Sequence, residues 1–162
     1  MAWTPDESIK RIEEKQKVFS LPKQPKTFGS EYFFPEDMQV LDSDQLGQWI
    51  SRLSAWRGFV LRDLAKVESE AIMLEDSYDL AISRKLGEFE DPKKMSKDMI
   101  IGKVLNDPAN AELKNLKHLA MEKRAEVNSL KRIVEIYTIQ NEAVSREITR
   151  RSIEYKIATG SH

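Results

Sequence analysis

The sequence predicts an all-α protein: a long antiparallel helical hairpin with a short connecting helix and an extended N-terminal arm, assembling into a homo-oligomer. Three observations lead there. A heptad ladder runs unbroken from Leu113 to Tyr155, with Leu113, Ala120, Val127, Val134, Asn141, Ile148 and Tyr155 at position a and Leu116, Lys123, Leu130, Tyr137, Val144 and Arg151 at position d. A second ladder precedes it, with Leu46, Leu53, Val60, Val67, Leu74 and Ala81 at d and Ile50, Arg57, Leu64, Ala71, Tyr78 and Lys85 at a. Helix breakers are segregated: no Pro or Gly falls between Pro108 and Gly160, whereas Pro22, Pro25, Gly29 and Pro35 crowd the front of the chain. Apolar residues at alternating three- and four-residue steps make one narrow stripe on a helix, the pattern of a helix pressed lengthwise against another. A helix over residues 110–157 would be about 70 Å long at 1.5 Å per residue, which points to function on a long helical surface rather than in a deep pocket.

Residues 1–41 read as an arm. Asp6 to Phe19 has the spacing of a short amphipathic helix, with Ile9, Ile12 and Phe19 on one side, Gln16 interrupting that side, Thr4 as cap and Pro5 at the first position. The following Pro and Gly residues end it. Phe28 to Pro35 holds three Phe and one Tyr, too much aromatic surface to leave in water. Such a segment packs on the protein itself, including across an oligomer interface, in preference to serving as a docking peptide or a platform for nucleobases.

Residues 42–157 form the hairpin domain, followed by a tail over 158–162. The first long helix begins at Asp42 or Ser43, both good N-caps. Trp49 and Trp56 flank its seam. Gly47 and Gly58 are expected where backbone approaches closely beside those tryptophans, and Gly87 is expected to cap the helix end. Ser96 to Leu105 reads as the connecting helix, with Met99, Ile100, Val104 and Leu105 as its apolar patch. Asn106-Asp-Pro stops it, and Asp107 or Asn110 caps the second long helix. Long helices joined by a connection of about 20 residues favour antiparallel neighbours. Two helices alone do not cover every apolar flank, so the oligomer interface is expected at Trp49, Trp56, Val60, Leu61, Tyr137, Asn141, Val144 and Ile148. An Asn at a seam position costs stability but fixes register and chain number.

Catalytic signatures are missing. The sequence contains no phosphate-binding Gly loop, no GxGxxG, no GxSxG, no metal-ligand spacing and no cysteine, and His118 sits alone on a charged helical segment. Glu68, Glu70, Glu75, Asp76 and Asp79 make an acidic face, the pattern of partners for Lys and Arg rather than of acid–base catalysis. The expected protein is not an enzyme and carries neither metal nor cofactor. The sequence has no membrane-spanning run and no secretion-signal layout, so a cytoplasmic location is the expectation. Charge is uneven: residues 1–45 carry 6 basic and 9 acidic side chains, residues 46–90 carry 6 and 8, and residues 91–162 carry 14 and 10. Any anionic partner would therefore meet the second half, but taken alone a surplus of this size reads as a solvated helix face. Lys93, Lys94, Lys97 and Lys103 surround the connection. Arg146, Arg150, Arg151 and Lys156 crowd the end of the second helix, where cations also offset the helix dipole.

With these parts in order, the layout resembles the UvsY-like recombination mediators of bacteriophages over roughly residues 42–151. Leu46-Gly-Gln-Trp49, the helix ending in Leu64-Ala-Lys-Val-Glu68, the connection Lys97 to Asp107, and the stretches Lys131-Arg-Ile-Val-Glu-Ile and Ala143 to Arg151 are similar in order to that family. The resemblance implies a ring-like homo-oligomer that binds single-stranded DNA and helps load a RecA-type recombinase onto strands covered by a single-stranded-DNA-binding protein, acting in the host cytoplasm if phage-encoded. That family places its DNA contacts late in the first long helix, where this chain is acidic. The corresponding site here shifts to Arg84, Lys85, Lys93, Lys94 and Lys97, with Arg146, Arg150 and Arg151 as a second patch. The competing reading is a coiled-coil structural, adaptor or inhibitor protein of a phage.

Overall fold

The computed structural model describes residues 7, 10, 11, 14, 23, 24, 33–88 and 96–160. Among them there is no strand. Three α-helices carry the fold: α1 (Ser43–Gly87), α2 (Lys97–Asn106) and α3 (Ala111–Thr159), with a 3-10 turn at Pro108–Asn110 between the last two. Glu7, Lys10, Arg11 and Glu14 are helical and exposed; the apolar side proposed for 6–19 lies outside the described residues.

The helix ends follow local chemistry. Asp42 and Gln45 form a reciprocal capping box: the Gln45 N–H donates to Asp42 Oδ1 at 2.7 Å and the Asp42 N–H donates to Gln45 Oε1 at 2.9 Å. Ser96 caps α2 by accepting from the Met99 N–H. Asp107 closes α2 and at the same time caps the 3-10 turn, accepting from the Ala109 N–H at 2.9 Å, so α3 starts one turn later than a direct Asp107 cap would give. Asn110 donates through Nδ2 to the Val104 carbonyl at 3.0 Å and ties the turn to α2. Gly87 is the last residue of α1 but does not adopt a positive φ; Gly160, after α3, does, at 63°. Hydroxyls inside the long helices bond back four residues, as Ser77 does to Met73 and Thr149 to Ser145.

The chain divides into two compact units, to each of which α1 and α3 contribute a segment. One comprises Met1–Phe19 and Ala65–Ser129. Ile82, Ile100, Val104 and Leu113 form its buried cluster, with Tyr78, Ala81, Leu86, Ile101 and Leu105 packed around it. The other comprises Ser20–Leu64 and Leu130–His162. Its centre is Leu46, Leu53 and Val144, all fully buried, beneath Phe34, Met38, Leu41, Trp49, Ile50, Tyr137 and Ile148. The heptad rungs Leu46, Leu53, Val60, Val67, Leu74, Leu64 and Ala71 on α1, and Leu113, Ala120, Val127 and Val144 on α3, are all buried. The last rung, Tyr155, is exposed, so the ladder outruns its cover.

Two expectations are corrected. Apart from its chain neighbours and the backbone of its own helix, nothing lies within 4 Å of a Cβ built at Gly47, so this glycine marks no close approach. Met99 is exposed rather than part of the α2 patch, because the buried side of this ten-residue helix is set by Ile100 and Val104, one turn apart.

Candidate nucleic-acid and assembly surfaces

The basic end of α3 is a network rather than a row of free cations. Glu147 sits at its centre, 8% exposed. Arg150 donates to both Glu147 oxygens at 2.8 and 2.7 Å and also pairs with Glu154. Arg151 donates from Nε to Glu147 Oε1 at 2.7 Å. Its Nη2 donates to the Met38 and Gln39 carbonyls at 3.1 and 3.0 Å. Arg146 meets Glu142 at 3.4 Å. The hydrogen bonds from Arg150 and then Arg151 hold the Glu147 carboxyl down to about 2, against the opposing effect of burial. Glu147, chiefly, raises the Arg150 guanidinium in turn. Arg151 thus occupies a seam position by bonding backbone carbonyls rather than by pointing to solvent.

That clasp fixes the end of the arm. Phe34 packs edge-on against Trp49, ring centroids 5.6 Å apart, and Phe34, Met38 and Leu41 cover the Leu46–Leu53–Val144 cluster. Within residues 33–41 the arm packs on the protein itself through Phe34, Met38 and Leu41, whereas Phe33 is exposed, so the self-packing expected of the aromatic segment holds for Phe34 and not for Phe33; Phe28 to Tyr32 lie outside the described residues.

Of the first basic patch, Arg84 and Lys97 are exposed, Lys85 pairs with Glu88 at 2.9 Å, and Lys93 and Lys94 lie outside the described residues. On the acidic face of α1, Glu70 accepts Lys123 at 2.9 Å and lies 3.9 Å from Lys66, and Glu75 meets Arg124 at 3.4 Å. Lys123 is raised by its hydrogen bonds to Glu126 and Glu70. These two carboxylates do serve as partners for basic residues. Among the described residues, no group of three or more His, Asp or Glu is placed to hold a metal ion. His118 is exposed. A groove of about 560 Å³ lies in this unit between Glu75, Tyr78 and Asp79 on α1 and Lys117, Met121 and Arg124 on α3. Burial, then the Asp79 charge, raises the Tyr78 phenol there.

The residues assigned to the oligomer interface divide. Val60 and Val144 are buried within the chain. Trp49, Tyr137 and Ile148 border the cluster around Val144. Trp56 is half-buried, and Leu61 is 41% exposed. Asn141 Oδ1 is shielded from solvent and accepts no hydrogen bond, which costs about 1–3 kcal/mol. Sequence reasoning missed two residues: Ile82, in the buried cluster beside the assigned rung Ala81, and Glu147. The signal for Glu147 was its spacing of three and four residues from Arg150 and Arg151.

The sequence matches no family model, no curated protein and no solved structure. Among the described residues, no helix is long and apolar enough to cross a membrane.

Proposed function

We propose that this chain is a non-enzymatic recombination mediator that binds single-stranded DNA as a homo-oligomer and helps load a RecA-type recombinase onto strands coated by a single-stranded-DNA-binding protein, in the host cytoplasm if phage-encoded. Its framework is an antiparallel hairpin of α1 and α3. Within one unit, Glu70 pairs with Lys123 while Ile82 shares a cluster with Leu113; numbering falls along one helix as it rises along the other, which supports that arrangement. The observation that carries the DNA reading is the basic surplus of residues 91–162, 14 basic against 10 acidic side chains. Arg84, Lys85, Lys93, Lys94 and Lys97 form the first proposed contact site. Arg146, Arg150 and Arg151 form the second, although Arg151 already donates to Met38 and Gln39. Phosphate contacts are individually weak, sequence-independent and additive, so an oligomer multiplies them into avidity.

Fluorescence anisotropy with a labelled oligonucleotide at low and high salt tests this. Engagement of four cations gives a log–log salt slope of about −3 on a single strand, and Lys93→Ala with Lys94→Ala lowers it. No binding at low salt refutes the DNA role. A second reading, a coiled-coil adaptor or inhibitor that binds a protein, is favoured by one observation: the α3 arginines are matched by Glu142, Glu147 and Glu154. Recovery of a protein partner, lost on deletion of residues 1–40 and without DNA affinity, selects that reading.

A further inference from the structure

The side of α3 opposite its seam carries a second apolar row. Ile136, Ile139, Ile153 and Ile157 are each more than half exposed. At 100° per residue they fall within an arc of about 100°, centred across the helix from Tyr137, Val144 and Ile148. Isoleucine loses χ1 freedom in a helix, so four on one solvated face weaken the helix unless something covers them.

The row has an internal symmetry that names its occupant. Ile139 and Ile153 lie seven residues either side of Arg146; Ile136 and Ile157 lie ten and eleven either side; Glu142 and Arg150 lie four either side. We infer that two copies of this chain pair through the backs of their α3 helices, antiparallel, about a two-fold axis at Arg146. In that register Ile139 meets the partner's Ile153, Ile136 meets the partner's Ile157, and Glu142 faces the partner's Arg150. Residues 142–154 hold three Glu and three Arg, so the contact brings together no net charge. Between the two isoleucine pairs lies a groove of about 580 Å³, lined by Glu142, Ser145, Arg146, Thr149, Arg150 and Ile153, which receives the partner's Arg146 side chain. The contact runs about 32 Å along the helix and is self-complementary, as a two-fold interface requires.

This inference rests on the proposed homo-oligomer and specifies one of its contacts. It draws Arg146 and Arg150 into the interface and leaves DNA to the patch at Arg84, Lys85 and Lys97. It also requires an even number of protomers.

The chain has no cysteine, so one introduced thiol reports on one contact. Helices packed at the wider end of the usual spacing, about 9–10 Å between axes, bring facing Cα atoms to about 5 Å, within disulfide range. Under mild oxidation, Arg146→Cys gives a covalent dimer. Ile136→Cys alone does not, whereas mixed with Ile157→Cys it gives the mixed dimer. Ile139→Glu with Ile153→Glu halves the solution mass and abolishes the Arg146→Cys cross-link, while helical circular dichroism persists because both positions are exposed. An oligomeric mass without the Arg146→Cys cross-link, a cross-link that survives the double Glu substitution, or an odd number of protomers overturns this pairing and leaves the homo-oligomer standing. A monomeric mass for the unaltered chain overturns both. Loss of DNA binding with the cross-link intact counts against the DNA reading alone.

Discussion

Leu53→Ala tests whether the cluster of Leu46, Leu53 and Val144 anchors its unit. Leu53 is fully buried. The substitution removes three carbons, about 2.4 kcal/mol of transfer free energy at 0.8 kcal/mol per methylene. The space left behind adds a cavity contribution, which takes buried Leu→Ala changes to about 2–5 kcal/mol. Here the cover includes Phe34, Met38 and Leu41 from the segment before α1. Those side chains hang on one short stretch of chain and can settle inward, so about 3 kcal/mol is expected. That corresponds to a drop in Tm of about 6–12 °C for a chain of this size. Urea unfolding followed at 222 nm, at two protein concentrations tenfold apart, measures the loss and separates intrachain packing from assembly, since only assembly makes the midpoint concentration-dependent. Leu61→Ala is the comparison. Leu61 is 41% exposed, and within a single chain its truncation costs under about 1 kcal/mol. If Leu53→Ala loses no more than Leu61→Ala, the seam assignment on α1 is wrong.

Three further outcomes are expected. The Glu147 carboxyl lies at about 2 in the folded chain against an ordinary 4.5; the stability it contributes is present in full above about pH 4.5 and is lost as pH falls through about 2, so Glu147→Gln flattens acid unfolding in that window, and an unchanged acid profile contradicts the network. Gly47→Ala meets open space in the second turn of α1 and raises stability by about 0.5–1 kcal/mol, read as a higher Tm; a lower Tm shows a contact the structure lacks. Asn141→Leu removes an unsatisfied buried oxygen and stabilises by about 1–2 kcal/mol while broadening the distribution of oligomer masses; a single unchanged mass denies Asn141 its role in fixing chain number.

Local order was legible in the chain because it is set by residues a few positions apart. The Asp42–Gln45 box, the Ser96 cap, the Asn106-Asp-Pro stop and both heptad ladders are short-range patterns, and the buried rungs from Leu46 to Leu74 and from Leu113 to Val144 fall where the period of seven put them. Where a residue's surroundings come from distant sequence, the pattern was silent. Arg151 stood at a d position of the second ladder and in the basic patch, and neither pattern foretold that its guanidinium holds the carbonyls of Met38 and Gln39. Lys123 broke a seam of apolar rungs, and only its meeting with Glu70 accounts for it. Gly47 fitted a close approach on paper and has empty space beside it. The sequence by itself determined that this protein is helical, where the helices start and stop, and which stripe each one buries, because backbone capping and helical periodicity are local. Only the tertiary structure decided which charges pair between helices, as Lys123 does with Glu70 and Arg124 with Glu75, that the arm from Phe34 to Leu41 closes over the Val144 cluster, and that α3 keeps a second row of isoleucines uncovered, because those depend on which surfaces distant segments bring together.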